Sequence, residues 1–121
     1  MNSQLTVYKA SAGSGKTFTL AREYMTLVIA NPYSYRTILA VTFTNKATEE
    51  MKTRILSQLY GIAHGLEESH GYLEQIKKAL PHLTQKQIEK NAGTALSLLI
   101  HNYNYFRVET IDTFFQSVLR N

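Results

Sequence analysis

Apolar positions along the chain change their spacing several times, and each change marks an element. Leu5, Thr6, Val7, Tyr8 and Lys9 form a short β-branched run that predicts a strand. It leads into Ala-Ser-Ala-Gly-Ser-Gly, after which Leu20, Tyr24, Leu27 and Val28 recur at helical spacing. Asn31-Pro32 should stop that helix, because a residue before proline is pushed out of the helical region and proline offers no N–H. Residues 37–43 are apolar nearly throughout, as in a strand buried on both faces of a parallel sheet. The three segments make a β-α-β unit. A second helix follows from Ala47, Met51, Ile55 and Leu59, four residues apart, with Lys46, Glu49, Glu50, Lys52 and Arg54 on its other faces. Gly61 and Gly65 mark a break, and Leu73, Ile76 and Leu80 predict a short helix ending at Pro81. Thr84-Gln-Lys-Gln87 matches a capping box, and Ile88, Ala92, Ala95, Leu96 and Leu99 carry the next helix to about Asn102. Phe106, Val108 and Ile111 predict a third strand, with Asp112 placed to cap a last helix through Phe114, Phe115, Val118 and Leu119.

Strands alternating with helices imply an α/β fold with a parallel sheet. Three strands are few for a doubly wound domain. The sheet is therefore expected to be incomplete, with an exposed edge and apolar surface, as in a fragment or a chain that pairs with another copy. At 121 residues and 44% hydrophobic, the chain has room for one core and not for a second full domain. No apolar stretch approaches the roughly 20 residues of a membrane span, and no basic-then-apolar leader opens the chain, so a soluble, cytoplasmic protein with no membrane partner is expected. Cysteine is absent, and His64, His70, His82 and His101 lack the close spacing of a zinc site, which leaves surface roles for them. A net charge of +4 admits a polyanionic partner without specifying one.

The strand-to-helix turn carries the first chemistry. Ala10, Ser11, Ala12, Gly13, Ser14, Gly15, Lys16 and Thr17 match the phosphate-loop pattern G-x-x-x-x-G-K-[ST], with alanine in place of the first glycine. Small residues let consecutive backbone N–H groups turn inward around a phosphate, and the following helix presents the positive end of its dipole. Lys16, the candidate catalytic residue, would neutralise the β and γ oxygens of ATP, and the Thr17 hydroxyl would hold Mg²⁺.

Downstream, Ala-Val-Thr-Phe-Thr-Asn-Lys-Ala-Thr-Glu-Glu-Met-Lys-Thr-Arg-Ile, residues 40–55, resembles motif Ia of the UvrD/Rep-type superfamily 1 DNA helicases. The loop sequence and the later Val-Glu-Thr-Ile-Asp-Thr-Phe, residues 108–114, lean toward the RecB/AddA branch, whose members carry helicase and exonuclease activities in DNA repair. The resemblance covers residues 5–60 firmly and 105–120 loosely. It implies the amino-terminal part of a RecA-like P-loop NTPase motor domain, incomplete here: residues 1–60 carry the phosphate loop and motif Ia, 61–104 form a helical insertion, and 105–121 supply the third strand and its helix. It also implies ATP and Mg²⁺ as cofactors, single-stranded DNA as partner, and a nuclease or helicase partner subunit. Phe43, Thr44, Asn45 and Lys46, with Thr110, would line the strand path: an aromatic ring can stack on a base while hydroxyl, amide and ammonium groups meet phosphates without reading sequence. From the residues alone, Phe43 reads as core and Asn45 as a helix cap.

Departures from the family pattern matter. Asp112 stands where the family commonly has histidine, and an ionised carboxylate cannot donate to phosphate. Gln4 is too close to the phosphate loop to be the adenine-reading glutamine. The acidic Asp-Glu motif that positions Mg²⁺ and the attacking water is missing from these 121 residues, as are the arginine finger and second motor domain, so the chain alone is expected to lack turnover. Two other readings compete: a non-catalytic nucleotide-binding scaffold, and an unrelated P-loop kinase, which has no use for a Thr-Phe-Thr-Asn-Lys track.

Overall fold

The computed structural model describes residues 4–7 and 15–120. Three strands, β1 (Gln4–Val7), β2 (Ile38–Thr42) and β3 (Arg107–Thr110), form one sheet in the order β1-β2-β3, parallel throughout. Leu5 is opposite Leu39 and Val7 opposite Val41 on one side of β2, while Ala40 is opposite Val108 and Thr42 opposite Thr110 on the other. The α/β class and parallel sheet expected from the pattern are present. The end of the first expected strand, Tyr8 and Lys9, lies outside the described residues.

Five helices connect the strands: α1 (Gly15–Ala30), α2 (Asn45–Ala63), α3 (His70–Ala79), α4 (Gln85–His101) and α5 (Ile111–Arg120). Alternate residues of a strand face opposite sides of a sheet. Ile38, Ala40 and Val108 accordingly join the core under α1 to α4, together with Leu20, Tyr24, Val28, Met51, Ile55, Leu59, Ile76, Ile88, Ala92 and Leu99. The stripes read from spacing on α1 to α4 are thus the buried stripes, Leu27 and Leu96 being only partly covered, whereas that of α5 is not in the core. The segment between β2 and β3 is no appendage, since α2 packs most extensively against α4 and α1 also meets α4. Asn91 on α4 donates from Nδ2 to the Ile29 carbonyl at 2.8 Å, satisfying one of the orphan acceptors at the end of α1.

Helix boundaries follow local chemistry. α1 stops before Asn31-Pro32 as expected, and the chain then takes a 3-10 turn, Pro32–Thr37, opened by the Asn31 side chain. Thr37 belongs to that turn, so β2 is shorter than the apolar run. At Thr84 both halves of the capping box are made, Gln87 N–H to Thr84 Oγ1 at 3.1 Å and Thr84 N–H to Gln87 Oε1 at 2.8 Å. Only one of the two glycines marks the expected break. Gly65 has φ +67°, with Leu66 N–H bonded to the Gly61 carbonyl and Gly65 N–H to Ile62, the paired pattern of a helix stop that needs a left-handed residue. Gly61 instead lies inside α2, where a Cβ would collide with the buried Ser69 hydroxyl. Two further expectations are corrected. Asn45 is the first residue of α2 and Thr44 is its cap, and Asp112 sits exposed within the first turn of α5 while Thr110 caps it. In both cases the strand's last threonine or its near neighbour reaches the third helical N–H first.

No helix among the described residues is long and apolar enough to cross a membrane. The expected apolar surface is present on α5, where Phe115, Val118 and Leu119 are exposed.

The Tyr24 ring is buried against Phe106, with centroids 5.5 Å apart, and its hydroxyl has no hydrogen-bond partner among the described residues. Burial pushes the phenol well above its ordinary 10.0, so it stays neutral in the fold. A raised folded value means that its stabilising contribution is whole below about pH 10, where the unfolded phenol is also neutral, and is lost as pH rises above that. Tyr24→Phe should therefore be as stable as the parent, or more so by up to about 1 kcal/mol, near neutral pH. In urea unfolding, its advantage should widen above about pH 10. Destabilisation of the variant at neutral pH would show that the hydroxyl is bonded after all.

Candidate nucleotide and DNA edge

All three strands run the same way, so their carboxyl ends share one edge of the sheet. The chain leaves that edge from Val7, Thr42 and Thr110, and α1, α2 and α5 begin at Gly15, Asn45 and Ile111. The starts of α2 and α5, two helices after adjacent strands, lie on one side of the molecule, each presenting the positive end of a dipole. In open parallel sheets this is the edge where ligands bind.

Residues 10–14 of the expected phosphate loop lie outside the described residues. Gly15 and Lys16 open α1, and the Lys16 side chain is likewise not described. Thr17 follows in the first turn and is buried. Phe43, Thr44, Asn45 and Lys46 are together at the carboxyl end of β2, all exposed, with Phe43 48% accessible. Phe43 is therefore not core. Thr110 lies beside Thr42 in register, which brings it to the same edge.

A cluster of threonines holds this edge. The Thr44 hydroxyl accepts from Ala47 N–H at 3.0 Å, and the Thr44 carbonyl accepts from Thr48 N–H at 3.0 Å. Thr42 and Thr48 hydroxyls meet at 2.6 Å, both buried. The Thr44 carbonyl, at 3.3 Å from Thr42 Oγ1 and 3.2 Å from Thr48 Oγ1, and the Glu109 carbonyl, at 3.4 Å from Thr42 Oγ1, lie within reach of the remaining proton. Thr110 Oγ1 accepts from Thr113 N–H at 3.2 Å and donates to the Thr113 hydroxyl at 2.9 Å. The cluster anchors the backbone of the turn and leaves the side chains of Phe43, Asn45 and Lys46 turned to solvent. Sequence reading passed over Thr42 and Thr48, whose only signal is a pair of threonines six residues apart across a strand-to-helix turn.

A family model described as the UvrD/REP helicase N-terminal domain matches residues 1–121, the whole chain. The chain belongs to the UvrD/Rep helicase family. Among curated relatives, the RecBCD enzyme subunit RecB of Borreliella burgdorferi is 35% identical over 90% of the chain and 9% of its own length. An ATP-dependent helicase/nuclease subunit of Clostridium novyi is 34% identical over 83% of the chain and 8% of its own length. The ATP-dependent DNA helicase UvrD1 of Mycobacterium leprae is 32% identical over 90% of the chain and 13% of its own length. The chain thus spans about a tenth of the length of these relatives. No solved structure matches at a significant level. The RecB and helicase/nuclease names agree with the branch read from residues 108–114, and membership in a helicase family sets aside the kinase reading.

Thr44→Val removes the cap of α2 while keeping shape, and should lower stability by about 1 kcal/mol. Thr48→Val leaves Thr42 its carbonyl acceptors and should cost less. Urea midpoints of the two variants check the order. A larger loss for Thr48→Val would mean that the hydroxyl pair, not the cap, holds the turn.

Proposed function

We propose that the chain is the ATP-binding part of an ATP-dependent DNA helicase motor that tracks single-stranded DNA in repair or recombination. The observation that carries this reading is the shared carboxyl edge, where the start of α2 and the exposed Phe43, Thr44, Asn45 and Lys46 stand beside Thr110 and the start of α5. In this reading residues 1–60 hold the nucleotide and the DNA track, 61–104 form a helical insertion, and 105–121 add the third strand and following helix of a RecA-like domain.

The backbone N–H groups of Ala10, Ser11, Ala12, Gly13, Ser14 and Gly15 would hold the phosphates, and Lys16 would neutralise their oxygens. The donor set suits an anion: a helix start, a run of small residues and one ammonium. Mg²⁺ takes most of its ligands from phosphate and water, so a single protein hydroxyl, that of Thr17, is a sufficient contribution. The ion would supply charge neutralisation at the phosphates. Phe43 stacks on a base, and Thr44, Asn45, Lys46 and Thr110 meet the backbone of the strand. ATP enters through the names of the relatives from Clostridium novyi and Mycobacterium leprae, and a nuclease or helicase partner subunit through the RecBCD and helicase/nuclease names. A cytoplasmic location accords with action on DNA.

A fluorescent ATP analogue should bind the protein with modest affinity and bind Lys16→Ala more weakly. Equal binding by the two would remove Lys16 from the site.

The 121 residues contain one aspartate, Asp112, and no adjacent Asp-Glu pair to orient an attacking water. An arginine finger alone is worth about 10³ to 10⁵ in rate. Phosphate release by the 121-residue chain, with single-stranded DNA present, should not exceed that of Lys16→Ala. Turnover that depended on Lys16 would point to a self-sufficient enzyme instead.

A further inference from the structure

Phe18 stands in the first turn of α1, directly after the residues assigned to phosphate. Its ring lies nearly parallel to that of Tyr72, with centroids 4.1 Å apart and 18° between the planes. Tyr72 is on α3, within residues 61–104, and is only 5% exposed. At the far end of the same ring, the Tyr72 hydroxyl accepts from Arg54 Nη1 at 3.4 Å. Arg54 is on α2, the helix that begins at the proposed DNA track, and its guanidinium has no carboxylate partner among the described residues. One rigid ring from the segment without an assigned role therefore touches two of the three helices that start at the functional edge.

A stacked pair resists rotation of either ring about its helix, and tyrosine has few rotamers to relax into. A phosphate site built from backbone N–H groups is sensitive to such rotation, because its donors must converge within about 0.5 Å of their working positions. We propose that Tyr72 is a positioning residue that fixes the first turn of α1 for nucleotide phosphates and, through Arg54, ties that turn to α2. The proposal rests on the reading of Gly15, Lys16 and Thr17 as the phosphate site. It gives residues 61–104 a role in supporting the motor site.

The test measures the affinity of a fluorescent ATP analogue, the affinity of an oligo-dT strand with and without that analogue, and thermal stability. Tyr72→Leu, which removes the stack, should weaken analogue binding by about 2- to 30-fold. Tyr72→Phe, which keeps it, should bind the analogue as the parent does. Arg54→Met keeps the stem of an exposed side chain and removes the donor, so it should shrink the change in oligo-dT affinity that the analogue produces while leaving thermal stability near that of the parent. A purely structural role would lower the thermal midpoint without moving either affinity measured well below it. Should Tyr72→Leu fail to fold, Phe18→Leu removes the stack from the other side and carries the same expected loss. If Lys16→Ala binds the analogue normally, the nucleotide reading falls and the proposal with it. If Lys16→Ala loses binding while folded Tyr72→Leu or Phe18→Leu keeps it, the role of Tyr72 alone is overturned. An unchanged oligo-dT response in Arg54→Met overturns the tie to α2.

Discussion

The parallel pairing of β2 with both neighbours is the constraint on which the rest depends. Parallel strands cannot be joined by tight turns, so each connection must return across the sheet as helix. β1 returns through α1, and β2 through α2, α3 and α4. The same geometry forces the strand ends to one edge, with a helix start after each. Had β3 run antiparallel, Thr110 would stand at the opposite edge from Thr42, and the starts of α2 and α5 would be separated by the length of the sheet. The chemistry proposed for the edge is in this sense a consequence of strand direction.

What makes that arrangement stable is a core built on one side of the sheet. Ile38, Ala40 and Val108 supply the sheet's share, and the buried stripes of α1 to α4 most of the remainder. The opposite side carries Leu39, Arg107 and Glu109, with Arg107 and Glu109 paired at 2.9 Å. Residues 61–104 belong to the core through Tyr72, Leu73, Ile76, Ile88, Ala92, Ala95 and Leu99. Asn91 even completes the end of α1, 62 residues away in sequence. Residues 61–104, expected from sequence to be a helical insertion, are thus an integral wall of the fold.

Periodicity exposed this core well because burial and spacing are the same physical fact: Met51, Ile55 and Leu59 recur every fourth residue and are fully buried. The capping box at Thr84 was equally legible, since both partners lie within one turn. Sequence reading failed where two residues competed for one task. Asn45 and Asp112 are good caps by type, yet Thr44 and Thr110 hold the position from which a hydroxyl reaches the third N–H of the helix. It failed again at Gly61, whose reason is the close approach of Ser69 eight residues on, and at Phe18 and Tyr72, whose contact spans 54 positions. Of the proposed site, the motifs were visible in the string, but the exposure of Phe43 was not, since the apolar run of β2 made it read as core. Nor was the threonine pair that anchors the turn, because its partners face each other only after β2 passes into α2.

The most direct test of the account maps ligand effects onto individual backbone amides. Amide chemical shifts recorded while an ATP analogue and then oligo-dT are titrated in would locate both ligands at once. The account predicts that the analogue perturbs residues 12–18 most, that oligo-dT perturbs residues 43–47 and 110–113, and that the Tyr103–Tyr105 turn at the other end of the sheet stays unmoved. Perturbations centred on that turn, or on the exposed face of α5, would contradict the assignment of the carboxyl edge as the working surface.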